Sequence, residues 1–175
     1  MGRPKQALRL PNGKTMVEAV AAVLAEVCRR VVVVGGADAP PGVRHIDDLR
    51  RGEGPLAGIE ALLASGLDTQ YLVCPCDVPL VTGSLLLRLT AGSRARATVF
   101  RIEGDDAVRP LPARVSVEAL EAVRGLLDHR RRAVHQLMAS IGPEVIVVSQ
   151  ADAGQLTNIN TLQEYEALCR ATDRP

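Results

Sequence analysis

Apolar and polar positions change period several times along the chain, and each change marks an element. From Lys14 to Arg30, the residues Met16, Val20, Val23, Leu24 and Val27 recur at helical spacing. Thr15 and Glu18 form a capping box ahead of that run, because a Thr-x-x-Glu pair satisfies free N–H groups at a helix start. Arg29 and Arg30 follow where cations suit the negative end of a helix dipole. Val31 to Val34 then form an unbroken β-branched run, closed by Gly35 and Gly36. A run without alternation predicts a strand covered on both faces, as in a parallel sheet.

The same pattern continues to the end. After a loop with Pro40, Pro41 and Gly42, a short strand is expected to end near Ile46. Pro55 to Ser65 reads as a helix, with proline suited to its first turn. Tyr71 to Cys74 reads as a strand, Thr82 to Ala91 as a helix, and Ala97 to Ile102 as a strand. A turn at Glu103 to Asp106 leads to a strand from Val108 to Val115, interrupted by Pro110 and Pro112. Ser116 caps a helix reaching about Leu127, Ala133 to Ile141 is another helix, and Val145 to Val148 is a strand. Thr161 and Glu164 form a second capping box before a final helix from Leu162 to Arg170.

Alternating buried strands and helices predict one α/β domain over 1–175, three-layered, with a mostly parallel sheet. Ligands of such sheets sit beyond the carboxyl ends of the strands. That rule singles out Gly35, Asp47, Asp77 and Asn158.

Composition narrows the function. The 175 residues are 47% hydrophobic with a net charge of +1, which fits a globular protein without a general pull toward nucleic acid. The only aromatics are Tyr71, Phe100 and Tyr165, too few for base-stacking platforms. No apolar run nears the roughly 20 residues of a membrane helix. No signal-peptide pattern opens the chain, so the cytoplasm is the expected location. Cys74 and Cys76 make a single C-x-C, with Cys28 and Cys169 distant. Zinc sites ordinarily offer four ligands, so these thiols read as small apolar packing groups. His45, His129 and His135 form no spaced set.

The remaining chemistry lies on loops. Asp77 follows the YLVC strand between Pro75 and Pro79, a stiff turn on which a carboxylate could hold a hard cation or act as a turn residue. Met1-Gly2-Arg3-Pro4-Lys5 could cradle phosphate or be a solvated terminus. Lysine occurs only at Lys5 and Lys14 in an arginine-rich chain, which favours a specific use of Lys5. Gly52 to Gly58, with Gly54 and Pro55 opening a helix, could receive an anion or a base edge, or be a plain turn. Asp47 and Asp48 could bind a purine N–H or a ribose hydroxyl, or form a solvated turn. Asn158 and Asn160 share one side of an extended segment, to bind phosphate oxygens or cap the last helix. Arg130 to Arg132 open a helix against its dipole, a local conflict open to a phosphate-bearing substrate or a solvated charge run. Arg109-Pro110 is a second basic point.

Taken in order, MGRPK, DDLRRGEGPLAGI, YLVCPCDVPL, the RP of VRPLPARV, RRRAVHQLM and TNINTLQEYEAL resemble the molybdenum cofactor guanylyltransferase family across nearly the whole chain. The resemblance implies a Rossmann-like nucleotidyltransferase fold. It also implies transfer of GMP from Mg-GTP to molybdopterin, with release of pyrophosphate. By similarity, Lys5 matches a phosphate-binding lysine, Asp77 the Mg²⁺ aspartate, and Asp47 an acid involved in guanine-nucleotide binding. Gly2, Gly54 and Pro55 join the implied GTP site, and Asn158, Asn160 and Arg109 the implied pterin side. The implied partners are GTP and molybdopterin, with molybdoenzymes or their chaperones beyond them. A cytidylyltransferase of the same pathway and a non-catalytic nucleotide- or pterin-binding homologue are the alternatives.

Two departures accompany the resemblance. The family opens with a strand and a glycine-rich loop, and this chain starts inside that loop. As it stands the sheet is expected to lack a central strand, with two strand edges exposed. The expectation is a polypeptide that begins upstream of Met1, and the alternative a truncated, inactive relative. Family members also often carry asparagine where this chain has Gly35.

Overall fold

The computed structural model describes residues 8–36, 39–91 and 94–172. Gly2 and Lys5 lie outside the described residues. In chain order, helix α1 spans Met16–Val27, strand β1 Val32–Val34, β2 Arg44–Ile46, α2 Pro55–Ala64, β3 Gln70–Val73 and α3 Gly83–Arg88. Then follow β4 Ala97–Ile102, β5 Val108–Ser116, α4 Leu120–Asp128, α5 Val134–Ile141, β6 Glu144–Val148, the short α6 Gln150–Ala153, and α7 Leu162–Thr172. A single 3₁₀ turn at Val117–Ala119 leads into α4, with Ser116 as its cap.

Both expected capping boxes form. Thr15 Oγ1 accepts from Glu18 N–H at 3.2 Å, and Thr15 N–H donates to Glu18 Oε2 at 2.6 Å. Thr161 and Glu164 repeat the arrangement at 3.2 and 2.8 Å. Helix α1 ends at Val27 rather than Arg30, so Arg29 and Arg30 lie just beyond the Cys28 cap at its carboxyl end. Arg30 donates to the Leu67 carbonyl at 2.8 Å, and Arg29 pairs with Asp68 at 3.7 Å.

The strands form two sheets. β1 pairs with β2 in parallel. The other sheet runs β3-β5-β4-β6, with β6 parallel to β4 and β5 antiparallel to both its neighbours. Three of its four strands therefore point one way, and β5 is the exception. Its prolines act as expected. The β4–β5 ladder jumps from Val99↔Ala113 to Phe100↔Arg109, so Pro110, Leu111 and Pro112 sit in a bulge. A bulge asks no ladder N–H of proline.

Alternate side chains of this sheet enter opposite layers. Val99, Ala113 and Val115 pack with Leu56, Leu63, Val123 and Leu137 of α2, α4 and α5. Phe100, Ile102 and Val148 pack with Leu85 and Leu86 of α3 and with Val23, Leu24 and Val27 of α1. This is the expected three-layer α/β architecture.

Among the described residues, β1 pairs only with β2, and β3 only with β5. A cleft of about 570 Å³ separates β1 from β3, walled by Val20 and Leu24 of α1 and by Ile59 and Leu62 of α2. Among the described residues, these two strand edges are the two sides of one apolar cleft.

Candidate active site

Asp77 is set by the end of β3. The strand stops at Val73, and Pro75 has no N–H to extend a ladder. Beyond it Val78 is fully buried and its carbonyl accepts from Val81 N–H at 3.2 Å, which pins the turn. Asp77 is half-buried.

The second element comes from 81 residues away. Asp77 Oδ2 accepts from Asn158 Nδ2 at 3.4 Å. The Asp77 carbonyl accepts from Ile159 N–H at 2.7 Å. Ile159 is buried in a small cluster with Leu10, Met16 and Ala19, while Asn158 and Asn160 are exposed. Alternation thus uses one apolar residue as an anchor and presents the asparagines on the other side. Capping is not what Asn158 does. Thr161 and Glu164 cap α7, and Glu164 Oε2 also accepts from Asn160 N–H at 2.7 Å.

The loop from β2 to α2 supplies the third element, and it turns its two acids different ways. Asp47 faces solvent, its side chain 80% exposed and 3.9 Å from His45 Nδ1. Asp48 is the acid that lines the cleft. Its Oδ1 is buried with no hydrogen-bond partner. It lies close enough to Gly35 and Gly58 that a Cβ on either would stand 3.2 or 3.6 Å from it. A buried carboxylate oxygen without a donor is costly, and native proteins rarely keep one idle. The sequence named both acids of the pair, but their facing depends on how the chain leaves β2. Gly35 has φ +84°, so it serves both as a left-handed turn and as the open wall beside Asp48.

Gly54 and Pro55 open α2 as N-cap and first residue, without a side-chain cap. Both line the same cleft, as do Gly35, Gly36 and Cys76. These residues lie at or beyond the carboxyl ends of β1 and β3, where ligands of α/β sheets bind. A second cleft of about 410 Å³ is lined by Arg29 to Val32 and Leu67 to Tyr71, so it lies toward the opposite strand ends.

Arg130 to Arg132 correct another expectation. Helix α5 starts at Val134, so these residues do not oppose its dipole from within. They follow α4 instead, with Arg130 N–H and Arg131 N–H donating to the carbonyls of Leu127 and Leu126 at 2.9 Å. Cations suit that helix end. Arg132 forms a two-pronged ion pair with Glu53, and its guanidinium holds the Glu53 carboxyl below the usual range. Arg109 is exposed and pairs with Asp105 at 3.4 Å, on the turn between β4 and β5.

The cysteines behave as packing groups. Burial, helped by the nearby Asp77 charge, pushes the Cys74 thiol up to about 12. A thiol so hard to ionise is a poor nucleophile and metal ligand. Among the described residues, no three His, Cys, Asp or Glu side chains gather to hold a metal, and no helix is long and apolar enough to cross a membrane.

The family described as the MobA-like NTP transferase domain matches residues 1–141. This chain belongs to that family. It is therefore a nucleotidyltransferase by descent. The molybdenum cofactor guanylyltransferase of Xanthomonas euvesicatoria pv. vesicatoria is 29% identical over 171 residues, covering 96% of this chain and 87% of that protein. Solved structures share the fold. The molybdopterin-guanine dinucleotide biosynthesis protein A of Archaeoglobus fulgidus superposes with a TM-score of 0.78 at 20% identity, over 98% of this chain and 91% of that one. The 2-C-methyl-D-erythritol 4-phosphate cytidylyltransferase of Thermus thermophilus gives 0.70 at 22% identity, over 96% and 93%. The fold alone thus serves more than one base, and base choice has to be sought in the site.

Proposed function

We propose that this chain transfers GMP from GTP to the phosphate of molybdopterin, in molybdenum cofactor biosynthesis. The names of its relatives support the pathway. The observation that carries the assignment is the pairing of Asp77 with Asn158 beyond β3, near a cleft where Asp48 keeps a buried, unsatisfied carboxylate oxygen.

Asp48 supports guanine. The Watson–Crick edge of guanine carries two adjacent N–H donors, which one carboxylate can accept together. Cytosine offers a single amino donor beside two acceptors, and those acceptors would be repelled. Gly54 and Pro55, at the start of α2, suit an anion or base edge at a helix N-terminus.

In the reaction, an oxygen of the acceptor phosphate attacks the α-phosphorus of GTP. The bond from that phosphorus to the bridging oxygen breaks, and pyrophosphate leaves with the electron pair. The acceptor is already an anion, so no strong base is needed. What the protein must supply is alignment and charge neutralisation. Asp77 is a hard oxygen donor on a fixed turn. It fits Mg²⁺, which is typically bound by one or two carboxylates together with phosphates and waters. Bound there, Mg²⁺ would supply neutralising charge for the phosphates. Asn158 orients the Asp77 carboxylate through its amide, and Asn160 stands on the same exposed side. Lys5 is the proposed phosphate-binding cation, and Gly2 part of the phosphate loop. The site lies on a domain with no membrane-crossing helix among its described residues, in keeping with work on soluble substrates in the cytoplasm.

The test is pyrophosphate release with molybdopterin and Mg²⁺, run with GTP and with CTP. Release with GTP and little with CTP is expected. Equal rates, or a preference for CTP, would overturn the guanine assignment.

A further inference from the structure

The loop that carries Asp48 is held by charge at two points. Arg50, two residues after Asp48, places Nε 3.0 Å from Glu60 Oε2, while its Nη1 donates to Asp128 Oδ1 at 2.6 Å. Glu60 lies on α2 and is 3% exposed, so its carboxylate is buried. Arg124 of α4 reaches the other Glu60 oxygen at 3.8 Å. Three residues further along the loop, Glu53 is gripped by Arg132. The loop therefore leaves β2 at Asp47 and enters α2 at Gly54 with Arg50 and Glu53 tied to α2, α4 or the segment before α5.

Helix packing alone does not explain a buried carboxylate here. Glu60 sits on a helix whose neighbours Leu56, Ile59, Leu62 and Leu63 make apolar core contacts. Burying a charge pair is often no better for stability than well-packed apolar side chains of similar size. What the charge adds is direction, because Glu60 fixes where the Arg50 guanidinium, and with it the loop backbone, must lie. Asp48 is separated from Arg50 by Leu49 alone, and Leu49 is 61% exposed, so packing of Leu49 does not anchor this part of the loop.

We infer that Glu60, through Arg50, is a positioning residue that sets Asp48 against the base of the nucleotide. The inference rests on the nucleotide assignment above. Glu60 touches no substrate. It governs how well Asp48 is aimed, and therefore affinity and base preference rather than the chemical step.

The test uses Glu60→Leu and Glu60→Gln in the full chain, with Glu166→Gln as a control. Glu166 pairs with Arg170 at 3.8 Å on α7, and neither is paired with Arg50, Glu60 or Arg124 among the described residues. Binding of a fluorescent GTP analogue, KM and kcat for GTP, the GTP-over-CTP ratio and thermal unfolding are read together. Glu60→Leu leaves Arg50 without its buried partner, so the unfolding temperature is expected to fall while the chain stays folded. The substitution should weaken GTP binding about tenfold and narrow the GTP-over-CTP ratio, with kcat little changed. Glu60→Gln should fall between the native chain and Glu60→Leu, and Glu166→Gln should match the native chain. Native-like affinity and base preference in a folded Glu60→Leu chain would overturn the positioning role and leave the nucleotide assignment standing. A native chain that binds no GTP would overturn both. An equal loss in Glu166→Gln would point to general surface charge and also refute the inference.

Discussion

The proposed role of Asp48 can be tested through Gly35, which lies beside its carboxylate in the same cleft. Gly35 has φ +84°, and a Cβ there would lie 3.2 Å from both carboxylate oxygens of Asp48. Gly42 has φ +79°, and a Cβ there would meet nothing within 4 Å. The substitutions Gly35→Ala and Gly42→Ala therefore share one cost and differ in another. Both place a side chain in the left-handed region, worth about 1–2 kcal/mol. In a domain of this size that is roughly 2–8 °C of unfolding temperature. Only Gly35→Ala also pushes on Asp48. A contact of 3.2 Å is tighter than nearly all natural Cβ contacts, so the carboxylate has to shift by a few tenths of an ångström. Misaligned hydrogen bonds to a charged acceptor lose about 1–3 kcal/mol, or roughly 5- to 150-fold in affinity. Calorimetric titration of GTP and thermal unfolding, run on both variants, separate the two costs. The expectation is a similar drop in unfolding temperature for both, with GTP affinity lost only in Gly35→Ala. If Gly35→Ala binds GTP as the native chain does, Asp48 does not read the base. If Gly42→Ala loses affinity equally, the effect is loop strain and says nothing for the carboxylate.

Other outcomes follow from single contacts. Asp77→Asn should lower Mg²⁺-dependent pyrophosphate release by at least about 100-fold while leaving thermal unfolding almost unchanged, since its main-chain bond to Ile159 remains. Native Cys74 should resist iodoacetamide at pH 8, as mass spectrometry of digested protein would show. Its folded thiol ionises only near 12 while the unfolded one ionises near its ordinary 9.0, so the unfolded state sheds the proton first. Stability should thus be unaffected by this group below about pH 9 and decline as pH rises toward 12. Thr15→Ala removes the acceptor for Glu18 N–H and should cost about 1 kcal/mol in urea unfolding.

Elements built on local patterns were legible in the sequence. The capping boxes at Thr15 and Thr161 form as their spacing implies, because they involve atoms three residues apart. The β-branched run before Gly35 is a parallel strand, and Ala97 to Ile102 is a strand with the expected bounds. The prolines of β5 also acted as read, by removing the ladder rather than the strand. Arg130 to Arg132 were read against the wrong helix end. They lie between α4 and α5, and there a shift of a few residues reverses the sign of the dipole argument. The short α6, whose cap is Ser149, had no apolar period to announce it and buries no side chain.

The site was half legible for a related reason. That Asp77 stands at a strand end follows from the strand, and that Asn158 and Asn160 face one way follows from alternation about Ile159. That these two pieces meet depends on a hydrogen bond across 81 residues, which no local pattern encodes. Asp47 and Asp48 show the limit most clearly. Adjacent residues leaving a strand face opposite ways, so the spacing guarantees that one acid turns inward but not which. The structure chooses by space. Gly35 and Gly58 both border the Asp48 carboxylate; a Cβ on Gly35 would crowd it at 3.2 Å, while one on Gly58 would make ordinary contact at 3.6 Å. Two glycines on separate elements, read together with an acid pair between them, are the signal that could have decided the matter. Gly35 was noted in the sequence only for the asparagine it replaces. Its larger consequence is the carboxylate it admits.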